Sequence, residues 1–227
     1  MKNIFRINAG SSNVYLIKNG NNSILIDAGN KNKHKKILKT VTNQGLKESD
    51  IKLIILTHTH YDHSGSLAEL KNETGAKVAV SAKEAEELKN GYTPFPKGTS
   101  PFFRFIIKMG QKYFSSMGKF SPVEPEILVE DKYDLSDFGL NGYIISTPGH
   151  TIGSLTVILD DKYAILGDTA FSIFPQVYPP FANEPELLSK SWEKLLKSGI
   201  KYCFPGHGRP FPVERLQHTF KKKFIEK

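Results

Sequence analysis

Residues 55–67 read ILTHTHYDHSGSL, and three of the chain's seven histidines and one aspartate crowd into six positions there. His58 and His60 are two apart, so in an extended segment both side chains point the same way and can reach one ion. Asp62 and His63 come as the chain turns into a helix and can face a neighbouring ion. Imidazole nitrogen and carboxylate oxygen are the donors that zinc and similar borderline cations take. Three more stretches offer the same donor types. STPGHTIGS (146–154) holds His150 in a Pro-Gly turn, YAILGDTAF (163–171) holds Asp168 beside Gly167, and YCFPGHGRP (202–210) holds His207 between glycines. Each follows an apolar run and sits in a tight turn. One such turn residue alone is ordinary loop punctuation. Together the four clusters predict a shared metal site at strand ends, where open sheets place their chemistry. His34 and His218 lie in Lys-rich helical stretches and are expected on the surface.

The elements that must position these residues can be read from hydrophobic pattern. Strand-like runs at 4–7, 14–17 and 24–27 are separated by turn residues, as in an antiparallel meander. A helical pattern over 33–44 ends at Gly45, and 51–56 is a continuous apolar run of the buried-strand type. A helix is expected over 64–75, a strand over 77–81 and a helix over 82–90. Further strands are expected at 143–147, 155–159, 163–166 and 202–204, with helices at 184–199 and 213–224. Strands then helices, twice over, predict an α/β fold of two packed sheets with helices outside. Residues 1–227 are read as one domain with a Pro- and aromatic-rich insertion at about 91–125, whose middle (102–117) has a helical pattern. The insertion either packs on the body, forms a lid over an apolar substrate pocket, or makes a dimer or membrane contact.

Composition narrows the class. With 39% hydrophobic and 24% charged residues over 227 positions, the chain can bury a substantial core and reads as a soluble globular protein. Neither a secretory signal nor a membrane span is expected. Cys203 is the single cysteine, which excludes an internal disulfide and fits a reducing, cytoplasmic setting. The net charge of +8 is almost all lysine, with arginine only at 6, 104, 209 and 215, so a solvated surface is expected rather than nucleic-acid recognition.

THTHYDH, TPGHT, GDT and PGHG resemble, in order, the metal motifs of the metallo-β-lactamase-fold hydrolases, and LIDAG (25–29) resembles their early strand-end motif. The resemblance runs from about residue 3 to 210. It implies an αββα sandwich of two mixed β-sheets flanked by helices, built from two similar halves. It also implies that His58, His60 and His150 hold one metal, that Asp62, His63 and His207 hold a second, and that Asp168 bridges both. Asp27 matches a position that supports the metal loops. The implied cofactors are two divalent ions, zinc first and iron or manganese as alternatives. The implied chemistry is hydrolysis by a bridging hydroxide, with Asp62 or a metal-bound water protonating the leaving group. Two divalent ions, two carboxylates and one hydroxide leave a charge of about +1 where an oxyanion forms.

Within that resemblance the substrate is approached by subtraction. True β-lactamases of this fold generally lack the bridging aspartate and are exported. Hydroxyacylglutathione hydrolases share GDTAF and the ligand set, but usually carry a helical substrate domain after the last histidine, and only twenty residues follow His207. Quorum-quenching lactonases place a tyrosine three residues after the bridging aspartate, where Phe171 stands here. What remains is a small-molecule ester, thioester or lactone with an apolar portion. The alternatives are a mononuclear-iron persulfide dioxygenase and a phosphodiesterase or nuclease; a homodimer fits any of them. Cys203, in a strand-like run, is expected in the core rather than in the chemistry.

Overall fold

A computed structural model describes residues 3–114, 118–173, 175 and 177–226. The first sheet takes β1 (Ile4–Asn8), β2 (Asn13–Ile17), β3 (Ser23–Ile26), β4 (Ile51–Ile55), β5 (Lys77–Ser81) and β6 (Ile127–Val129) in that spatial order. β1 to β3 form an antiparallel meander and β3 to β6 run parallel. Parallel neighbours need crossover connections. These carry α1 (His34–Asn43), the short α2 (Tyr61–Ser64) with α3 (Leu67–Thr74), and α4 (Ala85–Asn90) with α5 (Pro101–Phe114). The second sheet holds β7 (Lys132–Asp134), β8 (Gly142–Ser146), β9 (Leu155–Leu159), β10 (Tyr163–Gly167), β11 (Tyr202–Pro205) and β12 (Phe211–Pro212), again neighbours in chain order. α6 (Pro185–Lys197) and α7 (Val213–Phe220) complete the set, and a π-helical turn follows at Lys221–Ile225.

Side-chain alternation sorts the strands into layers. In β2, Tyr15 and Ile17 face the second sheet while Val14 and Leu16 face the helical side; in β3, Ile24 and Ile26 oppose Leu25 in the same way. The second sheet answers with Leu155, Val157, Leu159 and Ile165 in the shared middle layer, and with Ile158, Ala164 and Leu166 packed outward on Leu188, Trp192 and Leu195 of α6. The result is four layers, helix–sheet–sheet–helix, with an apolar core in each of the three gaps. Cys203 is buried in the core between the second sheet and its helices.

β6, β7 and β12 have only two or three residues each, too few to carry a period-two pattern, and they are absent from the sequence reading. The helix expected over 64–75 is α3, and a separate short helix, α2, precedes it. α2 begins at Tyr61 and so carries Asp62 and His63 on its opening turn. α5 covers most of the helix expected over 102–117; residues 115–117 lie outside the described residues. The insertion is closed at its base, where Thr93 N donates to Gly118 O and Phe120 N donates to Gly91 O. His218 is exposed as expected, whereas His34 is partly buried with Nε2 3.6 Å from Glu73.

Candidate metal centre

β3 and β4 are parallel, β10 and β11 are parallel, and β8 runs with β10 because both are antiparallel to β9. All five therefore send their following loops to one edge of the sandwich. Those loops carry Asp27, the segment 57–63, His150, Asp168 and His207. Backbone hydrogen bonds cross between the sheets at this edge: Leu155 N donates to Thr57 O at 2.7 Å, and Asn13 N donates to Gly206 O at 2.7 Å. Gly206 permits the last loop to close in, since a Cβ there would meet Asp168 Oδ1 and the His63 ring. Gly167 takes a left-handed φ of 52° directly before Asp168, and a Cβ would meet Thr57 Oγ1.

The seven side chains singled out in the sequence come together as two buried groups that could hold metal ions: His58, His60, His150 and Asp168 in one, Asp62, His63 and His207 in the other. Asp168 faces both. Its Oδ2 lies 3.5 Å from His150 Nε2 and 3.3 Å from His207 Nε2, and its Oδ1 lies 3.3 Å from His63 Nε2. His207 Nε2 is also 3.4 Å from Asp62 Oδ2. Donors bound tetrahedrally to one zinc at its usual bond lengths are about 3.3 Å apart, so these spacings suit a cation.

Outer hydrogen bonds aim the rings. Asp27 Oδ2 accepts from His63 Nδ1 at 2.8 Å, which aims His63 Nε2 inward. Asp27 also accepts from Thr57 N at 2.8 Å and from Thr57 Oγ1 at 3.0 Å. With its own proton committed to Asp27, Thr57 Oγ1 accepts from His58 Nδ1 at 3.1 Å and turns His58 Nε2 inward. Phe181 O accepts from His150 Nδ1 at 2.9 Å and does the same for His150. His150 Nε2 then stands 3.0 Å from His60 Nδ1. Two nitrogen lone pairs cannot face each other so closely without a proton or a cation between them.

Among the described residues, the buried atoms His58 Nε2, His60 Nε2, His63 Nε2 and Asp168 Oδ1 have no hydrogen-bond partner. Each such group costs roughly 1–3 kcal/mol if left so. A cation relieves that cost, and the donor set fits one. Burial above all, then the neighbouring imidazoles, hold His58, His60 and His150 below the ordinary histidine value, so these rings are neutral donors. Burial is the largest influence on His63 and His207 and opposes their charge, but the carboxylates together outweigh it, Asp168 with Asp27 and Asp62 at His63 and Asp168 with Asp62 at His207, and both are raised. Burial opposes charge on Asp168 too, yet His207 and His63 keep its carboxyl well below the usual range.

Sequence reasoning missed a second brace. Buried Glu84 accepts from Thr59 N at 2.9 Å through Oε2 and from Gly153 N at 3.2 Å through Oε1, tying the loop of His58 and His60 to the loop of His150. Thr93 Oγ1 donates to Thr59 O at 2.8 Å, which ties the base of the insertion to the same loop. Ser12 Oγ donates to Asp62 O, and Ser11 Oγ lies 3.1 Å from Asp62 Oδ2. A threonine between two histidines hints at Thr59, but Glu84, Ser11 and Ser12 carry no local signal.

Above the cluster is a cavity of about 330 Å³. His60, Asp62, His150, Asp168 and His207 form its polar part, and Phe95, Phe103, Ile107, Phe171 and Phe181 much of its wall. Phe171 stacks on the His207 ring at 4.6 Å between centroids. Among the described residues that line this cavity, none is Lys or Arg.

A four-layer α/β sandwich with paired His/Asp groups at one edge defines a class of metal-binding protein. The sequence profile of the metallo-beta-lactamase superfamily matches residues 7–207, and the chain belongs to that superfamily. A probable metallo-hydrolase of Methanocaldococcus jannaschii is 29% identical over 219 residues, 95% of each chain. A hydroxyacylglutathione hydrolase of Shewanella pealeana is 25% identical over 164 residues, 72% of this chain but 44% of that protein. The crystal structure of an archaeal metallo-beta-lactamase superfamily protein from Sulfolobus tokodaii superposes with a TM-score of 0.71 at 22% identity, covering 99% of this chain and 87% of that one. The last of these likenesses concerns the fold alone.

Proposed function

We propose that the chain is a dinuclear, zinc-dependent hydrolase that cleaves a small-molecule ester, thioester or lactone with an apolar portion. One observation carries this reading: a buried cluster of seven His and Asp donors at the floor of an apolar cavity. His58, His60 and His150 would hold one ion, Asp62, His63 and His207 the other, with Asp168 between them. Bound divalent ions supply Lewis acidity and an ionised water at neutral pH. Asp27 and Thr57 keep the rings of His63 and His58 in one tautomer and orientation, so the donor set is preorganised. Phe95, Phe103, Phe171 and Phe181 take up the apolar portion of the substrate and exclude water. Asp62, whose Oδ2 accepts from Ser11 Oγ, would take the proton released by the attacking water and pass it to the leaving oxygen or sulfur. Among the described residues the wall holds no Lys or Arg, which favours an uncharged substrate body over a polyanionic one. Cys203 is the single cysteine, and the lack of any internal disulfide fits a cytoplasmic setting.

The test is a panel of aryl esters, thioesters, lactones and phosphodiesters on protein whose metals have been quantified. The expected result is two zinc ions per chain and turnover confined to the carboxylic esters, thioesters or lactones. One iron per chain with sulfur-dependent oxygen uptake, or turnover of phosphodiesters alone, overturns the reading.

A further inference from the structure

α5 is apolar on two sides. Phe103 and Ile107 line the cavity. Phe102, Phe105, Ile106 and Met109, spaced i, i+3, i+4 and i+7, form one stripe that is exposed by 65, 63, 40 and 62%. Soluble monomers rarely leave a contiguous apolar patch uncovered without a use for it. The flank of the stripe is cationic. Lys97, Arg104 and Lys108 line a groove of about 290 Å³ beside the helix, with Ile107 shared between groove and cavity. The charge is segregated in the sequence as well: residues 88–123 contain six Lys and Arg and no Asp or Glu.

From this juxtaposition we propose that α5 docks on an anionic lipid surface, its outer stripe in the acyl boundary and its cationic flank against the headgroups. An amphipathic helix with aromatic and large aliphatic residues on one face and Lys or Arg beside them binds bilayers by that combination. A fourteen-residue helix is about 21 Å long, enough to lie along the interface and too short to cross it. A second copy of the chain fits the face poorly, because each copy would bring to the contact the same segment of six Lys and Arg with no Asp or Glu to answer them. Docking would hold the cavity behind α5 at the membrane surface. The inference does not require the hydrolytic reading, and its test does not use turnover.

The experiment is co-sedimentation of the full-length, metal-loaded protein with vesicles of equal parts phosphatidylcholine and phosphatidylglycerol, and with phosphatidylcholine alone. The expected result is binding to the anionic vesicles roughly 100-fold tighter than to the neutral ones, weakened by salt. The triple variant Phe102→Ser, Phe105→Ser, Met109→Ser and the double variant Lys97→Gln, Lys108→Gln should each lose at least about tenfold. Both should keep metal content and circular dichroism, since the altered side chains are exposed. Absence of binding, or unchanged binding by the triple variant, overturns the proposal. So does a lipid-free, concentration-dependent dimer in sedimentation velocity that the triple variant abolishes, for that would assign the face to a second copy.

Discussion

The metal cradle and the α5 segment lie only a cavity apart, yet they are built on opposite principles. In the cradle, polar side chains are buried and three of the five imidazoles have an outer partner: Asp27 for His63, Thr57 for His58, the Phe181 carbonyl for His150. Glu84 then ties two of the loops together. In α5, large apolar side chains face solvent, and the backbone of its approach is held by Thr99 N donating to Pro180 O and Ala182 N donating to Lys97 O. A buried polar cluster has little freedom to move without leaving groups unpaired. An exposed apolar face loses nothing by changing what covers it. One region is built to hold a geometry and the other to meet a surface.

Substitutions in the two regions should therefore differ sharply. The largest effect is expected for His58→Ala or His150→Ala. Each removes a donor from the first group, so bound metal and hydrolysis should both fall by more than the roughly 100-fold that loss of a supporting residue produces. Elemental analysis that still finds full metal in either variant would break the contrast at its root.

Next comes Glu84, whose burial raises its carboxyl from 4.5 to about 7. The folded state therefore holds this proton more tightly than the unfolded chain does. Its contribution to stability is complete below pH 4.5 and is lost as pH rises to about 7. Glu84→Gln should remove up to about 3 kcal/mol of that fall, read as a flatter dependence of the urea midpoint on pH in the metal-free protein. Parallel curves for the two proteins would show that Glu84 is not the buried acid described here.

Asp27→Asn should follow, with metal affinity weakened by about 10–100-fold in chelator competition, because the amide cannot match a carboxylate that accepts from both His63 and Thr57. Unchanged affinity would mean that packing alone orients these rings. The smallest effect is expected for Phe102→Ser in α5: metal content unchanged and stability within about 0.5 kcal/mol in denaturant titration. A larger loss would bring α5 into the rigid frame and blur the comparison.

The legibility of the molecule follows the same division. His58, His60, Asp62 and His63 stand within six positions of one another, and His150, Asp168 and His207 each end an apolar run, so donor chemistry and strand ends could be read along the chain. The two-sheet layering was legible too, because apolar strand runs followed by helical patterns occur twice along the chain. β6, β7 and β12 were not, being too short to show a period.

What the chain alone determined is the set of donors and the strands that end in them, because both are properties of neighbouring residues. The tertiary structure decided which partners turn the rings, through Asp27 and Thr57 thirty positions apart, and which loops are tied together, through Glu84 reaching Gly153. It also decided that α5 offers one apolar face to the cavity and another to solvent. Such pairings depend on how separate strands and helices meet in space, and no local pattern records that.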